Sequence, residues 1–209
     1  MENKFKNISK VIYSYLKKDE LLTLSFIGEE SQFIRLNNAK IRQTGLVNDA
    51  DIHMKMIANG RSCTGSFTLS GNDDIDTKRA GLEIERMRLE STQILEDPYL
   101  IIPKGSGSSR EIKNFNGLNF KDAVDAILPV IQGVDFVGIL SNGKMYRGNS
   151  NSLGQEHWFE TESFSLDYSL VATNHQMVKG TFAGTDLSLI HISEPTRQAE
   201  ISYAVFCLK

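Results

Sequence analysis

Residues 51–69 read Asp-Ile-His-Met-Lys-Met-Ile-Ala-Asn-Gly-Arg-Ser-Cys-Thr-Gly-Ser-Phe-Thr-Leu. Ile52, Met54 and Met56 alternate with His53 and Lys55, so one face of an extended segment is apolar and the other polar. Asn59-Gly60 supplies the two left-handed residues of a tight hairpin turn, which makes residues 51–58 and 61–69 an antiparallel pair. Upstream, residues 22–26 and 32–36 alternate in the same way. Gly28-Glu29-Glu30 between them predicts a turn, and residues 41–44 add another short strand to the meander.

Helical periodicity flanks this sheet. Ile8, Val11, Ile12, Tyr15 and Leu16 form one stripe over residues 7–18. Asp73 or Asp74 is expected to cap a second helix running to about Leu95, ended by Asp97-Pro98. A third opens at Asn119 or Lys121 and is disturbed by Pro129 and Gly133. A buried strand over 134–140 follows, then a turn at Ser141-Asn142-Gly143 and strands over 159–171 and 177–182. The expected class is α+β, an antiparallel or mixed sheet with flanking helices. Residues 1–120 are expected to form an N-terminal α+β domain and 121–186 the start of a following region.

Composition is that of an ordinary globular chain of 209 residues, 40% hydrophobic and 23% charged. The net charge of −3 and the absence of a Lys/Arg block leave no electrostatic footprint for nucleic acid. No apolar run reaches the roughly 20 residues of a membrane helix, and the N-terminus lacks a signal-peptide core. The expected compartment is the cytoplasm, with no membrane partner. Cys63 and Cys207 have neither zinc-site nor disulfide spacing.

Residues 187–209, LSLIHISEPTRQAEISYAVFCLK, resemble translated sequencing adapter. Back-translated, 187–197 match a transposon end and 201–209 a flow-cell adapter, with Gln198, Ala199 and Glu200 in the space of an index. On that reading His191 and Cys207 leave every site hypothesis. The natural frame is then expected to end near Asp186, with a truncated domain.

A second resemblance rests on Glu30-Ser31-Gln32-Phe33-Ile34-Arg35-Leu36-Asn37-Asn38 and Lys40-Ile41-Arg42-Gln43, followed by Gly138-Ile139-Leu140, residues 149–154 and residues 178–185. In this order the blocks resemble the N-terminal region of the TldD/PmbA family, on its PmbA-like (TldE-like) side, over residues 8–186. The resemblance implies a metallopeptidase-related assembly in proteolysis or peptide processing, with a zinc-bearing subunit and a related subunit lacking zinc. The zinc motif HExxxH of that family lies in the C-terminal half, so no catalytic, cofactor or metal residue is expected in this segment, although zinc could belong to the parent complex. Implied partners are a TldD-like subunit or a second copy, and a peptide substrate. The alternative is a non-catalytic regulatory subunit, as the gyrase-modulator names of the family suggest. Arg35, Arg42, Asn149 and Gly180 are the candidate partner or peptide contacts. Surface ion pairing is the competing reading for the arginines, and turn or close-approach geometry for Asn149 and Gly180.

Other candidates are weaker. His157-Trp158-Phe159-Glu160 has no second histidine, and His53 and His175 have no ligand neighbours in sequence. Gly105-Ser106-Gly107-Ser108-Ser109 lacks phosphate-loop spacing and reads as a flexible linker. Cys63 reads as a half-buried structural thiol, and Asp73, Asp74 and Asp76 as helix-capping carboxylates.

Overall fold

In a computed structural model the described residues are 1–103, 105–114, 120–171 and 176–185. The adapter-like tail and His175 lie outside them. The element order is α1 (Glu2–Ser14), β1 (Glu20–Asn37), β2 (Lys40–Ala58), β3 (Arg61–Thr68), α2 (Asp73–Ser91), β4 (Gly107–Lys113), α3 (Phe120–Val130), β5 (Asp135–Asn151), β6 (Gln155–Val171) and β7 (Met177–Gly184). Seven strands follow the order β3-β2-β1-β5-β6-β4, with β7 also paired to β6, so the chain is α+β. The β2–β3 ladder is antiparallel and pairs Ala58 with Arg61 and His53 with Ser66. Asn59 and Gly60 take φ of 51° and 69°, the hairpin geometry read from the sequence.

Three expected breaks do not occur. The turn at Gly28-Glu29-Glu30 is absent because β1 is one strand of 18 residues, and residues 41–44 and 51–58 likewise belong to one strand, β2. Ser141-Asn142-Gly143 lies inside β5. Glycine serves close approach here: a Cβ on Gly143 would sit 2.4 Å from both Glu30 O and Ser31 Cα, and one on Gly28 2.8 Å from the Phe26 ring. The Gly105–Ser109 linker is also corrected, since residues 107–109 are in β4.

The chain divides into two compact units that interleave in sequence. The first holds Met1–Glu29, Asn48–Ile112 and Met145–Glu160; the second holds Glu30–Val47, Lys113–Lys144 and the chain from Thr161. Strands β1, β2, β5 and β6 each pass from one unit into the other.

In the first unit α1 and α2 contribute to a core with Leu22, Leu24, Phe26, Ile52, Met54 and Met56. Phe5, Phe26, Tyr146 and Trp158 form its aromatic group, with ring centroids 5.3 to 6.1 Å apart. Gly148 admits the Phe5 ring, which would lie 2.6 Å from a Cβ there. Arg88 of α2 binds Glu20 through Nε to Oε1 at 2.7 Å and Nη2 to Oε2 at 2.8 Å, and donates to Tyr15 O at 2.5 Å. One guanidinium therefore ties the end of α1 and the start of β1 to α2. The cap of α2 differs from expectation. Asn72, not Asp73 or Asp74, accepts from Asp74 N and Ile75 N, while buried Asp76 accepts from Ser70 N, Ser70 Oγ and Gly71 N.

In the second unit Ile34, Leu36, Ile131, Phe136 and Leu170 cluster, as do Ala123, Leu140 and Phe164. Phe136 stacks on Tyr168 with centroids 5.5 Å apart. Between β1 and β2, Asn38 and Ala39 take φ of 49° and 54°. Ala39 bears a left-handed strain of about 1 kcal/mol. Its N–H donates to Phe136 O at 3.1 Å, which fixes the turn against the start of β5.

Two outcomes follow for stability. Gly143→Ala should cost about 3 kcal/mol in urea unfolding, because the backbone of β1 blocks the new methyl group. The Glu20 carboxyl is held below its ordinary value by its hydrogen bond to Arg88, against opposing burial. Its contribution is therefore complete above the unfolded value and lost as pH falls through the folded one. Glu20→Gln should cost about 2 kcal/mol at pH 7, and unfolding measured at pH 3 should show a smaller difference.

Candidate functional site

The outward face of the first unit's sheet is lined by hydroxyl and amide side chains. His53 and Lys55 lie on one face of β2, opposite Ser66 and Thr64 of β3 in the ladder. With Thr23 and Ser25 of β1 and Glu83 and Arg86 of α2 they bound a shallow open depression. The alternation that buries Ile52, Met54 and Met56 turns His53 and Lys55 outward, so the same pattern that builds the core builds this surface. Gly65 leaves room for the Glu83 side chain, whose Oε1 accepts from Ser66 N at 3.2 Å. Arg86 donates to Glu83 and Glu90 and to Thr64 O, which seals the β3 margin.

Asn149 belongs to this face. It is half-buried in β5, and its Nδ2 donates to Ser25 Oγ at 3.4 Å. The other three candidate contacts lie in the second unit. Arg35 is exposed on β1, with Nη1 3.5 Å from Gln43 Oε1 and its guanidinium 5.8 Å from the Phe33 ring centre. The Phe33 ring covers Gly45. Gln43 and Gly45 thus share the face of Arg35, and alternation turns Arg42 to the opposite one. Gly180 pairs with Tyr168 in the β6–β7 ladder, and a Cβ there would meet the Tyr168 ring at 2.5 Å. Within that unit Arg35 and Gly180 are separated by β5 and β6. Arg35 and Gly180 therefore do not converge on one point within that unit.

The remaining candidates have structural partners. His157 meets Ser109 Oγ at 2.7 Å through Nδ1 and Gln155 at 2.9 Å through Nε2, while neighbouring Trp158 is in the core. Tyr13, not singled out in the sequence, shares a hydrogen bond between its hydroxyl and Ser150 Oγ at 2.7 Å, and burial pushes its pKa up to about 12. Cys63 is more deeply buried than expected, 5% exposed, and its Sγ donates to Met87 O at 3.3 Å. Burial raises its pKa above the ordinary thiol value. Among the described residues no three His, Cys, Asp or Glu side chains are grouped to hold a metal ion, and no helix is long and apolar enough to cross a membrane.

The fold is shared with solved proteins. TldE from Thermococcus kodakarensis superimposes with a TM-score of 0.63 at 12% identity, over 87% of this chain and 43% of that one. This chain has the TldE fold. A proposed DNA gyrase modulator from Thermotoga maritima superimposes at 0.60 with 16% identity, over 86% of this chain and 42% of that one. Another, from Bacteroides thetaiotaomicron, gives 0.53 with 14% identity, over 88% and 45%. The structural neighbours are thus TldD/PmbA-family proteins, and the chain spans less than half the length of each. No protein-family model and no curated protein matches it in sequence. Placed in the TldE fold, the Glu30–Gln43 block that carries the sequence resemblance is the β1–β2 hairpin.

The hydroxyl-lined face was missed in sequence because its members come from four separate strands. The only local signal was the polar half of each alternation. Thiol chemistry tests the placement of Cys63: with Cys207→Ser to remove the second thiol, the native chain should react with Ellman's reagent only after denaturant is added.

Proposed function

We propose that this chain is the N-terminal part of a TldD/PmbA-like protein that takes part in peptide processing by providing framework and a docking surface, without a zinc centre of its own. The fold shared with TldE over most of the chain carries the reading. The polar face around Ser25, His53, Lys55, Ser66 and Asn149 supports it, because side-chain hydroxyls and amides there can bind an extended peptide or a partner's sheet without demanding a particular apolar sequence. Zinc chemistry does not fit the described residues and would come from a TldD-like subunit, or from a second copy of the complete protein. The cytoplasm is the proposed compartment.

Arg35 and Gln43 lie on the exposed β1–β2 hairpin and Gly180 on β7, where they are suited to partner contacts and less to peptide chemistry. Arg42 shares the hairpin. The gyrase-modulator description of two structural neighbours favours a second reading, a regulatory subunit with no peptidase role.

One experiment separates them. The purified chain should carry far less than one zinc per molecule by atomic absorption, and should co-elute with a zinc-bearing TldD-like subunit. Asn149→Ala combined with Ser25→Ala should weaken retention of an unstructured peptide by that mixture several-fold. Stoichiometric zinc on the isolated chain, or no association with the subunit, would remove the reading. A changed rate of DNA supercoiling by gyrase would support the regulatory one.

A further inference from the structure

The turn between β5 and β6 carries a chain of side-chain hydrogen bonds in which the backbone fixes every donor and acceptor. Its anchored end is the buried amide of Asn151, whose Oδ1 accepts from the backbone N–H of Leu153 at 3.0 Å and of Gln155 at 2.9 Å. A backbone N–H can only donate, so that oxygen is placed, and Asn151 Nδ2 donates to Gln155 Oε1 at 3.0 Å. The Gln155 amide is thereby placed as well, with its Nε2 against His157 Nε2 at 2.9 Å. An amide nitrogen donates and does not accept, so His157 Nε2 carries the lone pair and Nδ1 the proton. That proton is donated to Ser109 Oγ at 2.7 Å, which joins β4 to β6.

A serine 2.7 Å from a histidine has the spacing of a nucleophile and its base. Here, however, the ring nitrogen facing the hydroxyl is the protonated one and cannot take the serine proton. The chain also accommodates only the neutral ring, because a proton added at Nε2 sets one donor against another. Turning the Gln155 amide over to offer Oε1 moves the conflict one step, since its Nε2 then meets Asn151 Nδ2. Turning Asn151 over as well opposes two backbone N–H groups, so one bond of the chain must break. The hydrogen-bond partners of the ring nitrogens are both neutral. The flanking charged groups are Arg147 of β5 and Glu111 of β4, on the same face by alternation. On the α1 side stand Glu156, Lys6, Glu2 and Arg110, which are joined in ion pairs of their own.

We infer that Ser109, His157, Gln155 and Asn151 form a pH-sensitive latch, closed beside the β5–β6 turn while His157 is neutral and opened at the Gln155 amide when the ring is protonated. It is independent of the proposed peptide-processing role.

Nitrogen-15 NMR of the whole chain reads the latch. At pH 8 the His157 ring should show the Nδ1–H tautomer. As the ring takes up its proton, the Gln155 side-chain amide should exchange with water about tenfold faster than the intrinsic change with pH allows. Urea unfolding supplies a second reading. Gln155→Glu offers an acceptor to both Asn151 Nδ2 and the protonated ring, so its unfolding midpoint should rise relative to wild type between pH 8 and pH 5. In a His157→Gln background that rise should vanish. Near-ultraviolet circular dichroism checks that each variant is folded. An Nε2–H tautomer at pH 8, a Gln155 amide that follows the intrinsic rate, or a relative midpoint that stays put or moves equally without His157 would each overturn the proposal.

Discussion

Where β5 passes β1, the backbone at Gly143 lies so close to Glu30 and Ser31 that one methyl group cannot be fitted between them. That approach holds β5 close against β1 in the second unit. Gly28 and Gly148 play the same part inside the first unit, by making room for the rings of Phe26 and Phe5. At these positions glycine removes the side chain that would block the neighbouring backbone or ring.

The first unit depends on a second kind of constraint. Phe5, Phe26, Tyr146 and Trp158 come from α1, β1, β5 and β6, so their packing fixes one helix and three strands at once. Arg88 adds direction where aromatic packing supplies only area. Its planar fork reaches Glu20 and Tyr15 O together, which aligns α2 with the chain passing from α1 into β1.

Function, on this account, belongs to surfaces more than to pockets. The depression on the first unit's sheet is open, and hydroxyls and the paired ions Glu83 and Arg86 stand around it. A sheet face of that kind can offer hydrogen bonds to many sequences, as the proposed peptide handling would need.

Much of the local structure was legible from residues alone. Alternation at Ile52, Met54 and Met56, the Asn59-Gly60 turn, the stripe of α1 and the order of blocks around Arg35 and Arg42 identified the hairpin, the α+β class and the TldE-like fold. Tertiary structure alone decided that Gly28 and Gly143 are points of contact and not turns, that Asn72 caps α2, and that the compact units interleave along the chain. It also set Gly180 two strands away from Arg35 within the second unit. The physical reason is that alternation and capping propensity act over a few residues, whereas a glycine's role and a side chain's neighbours depend on which distant strand lies beside it.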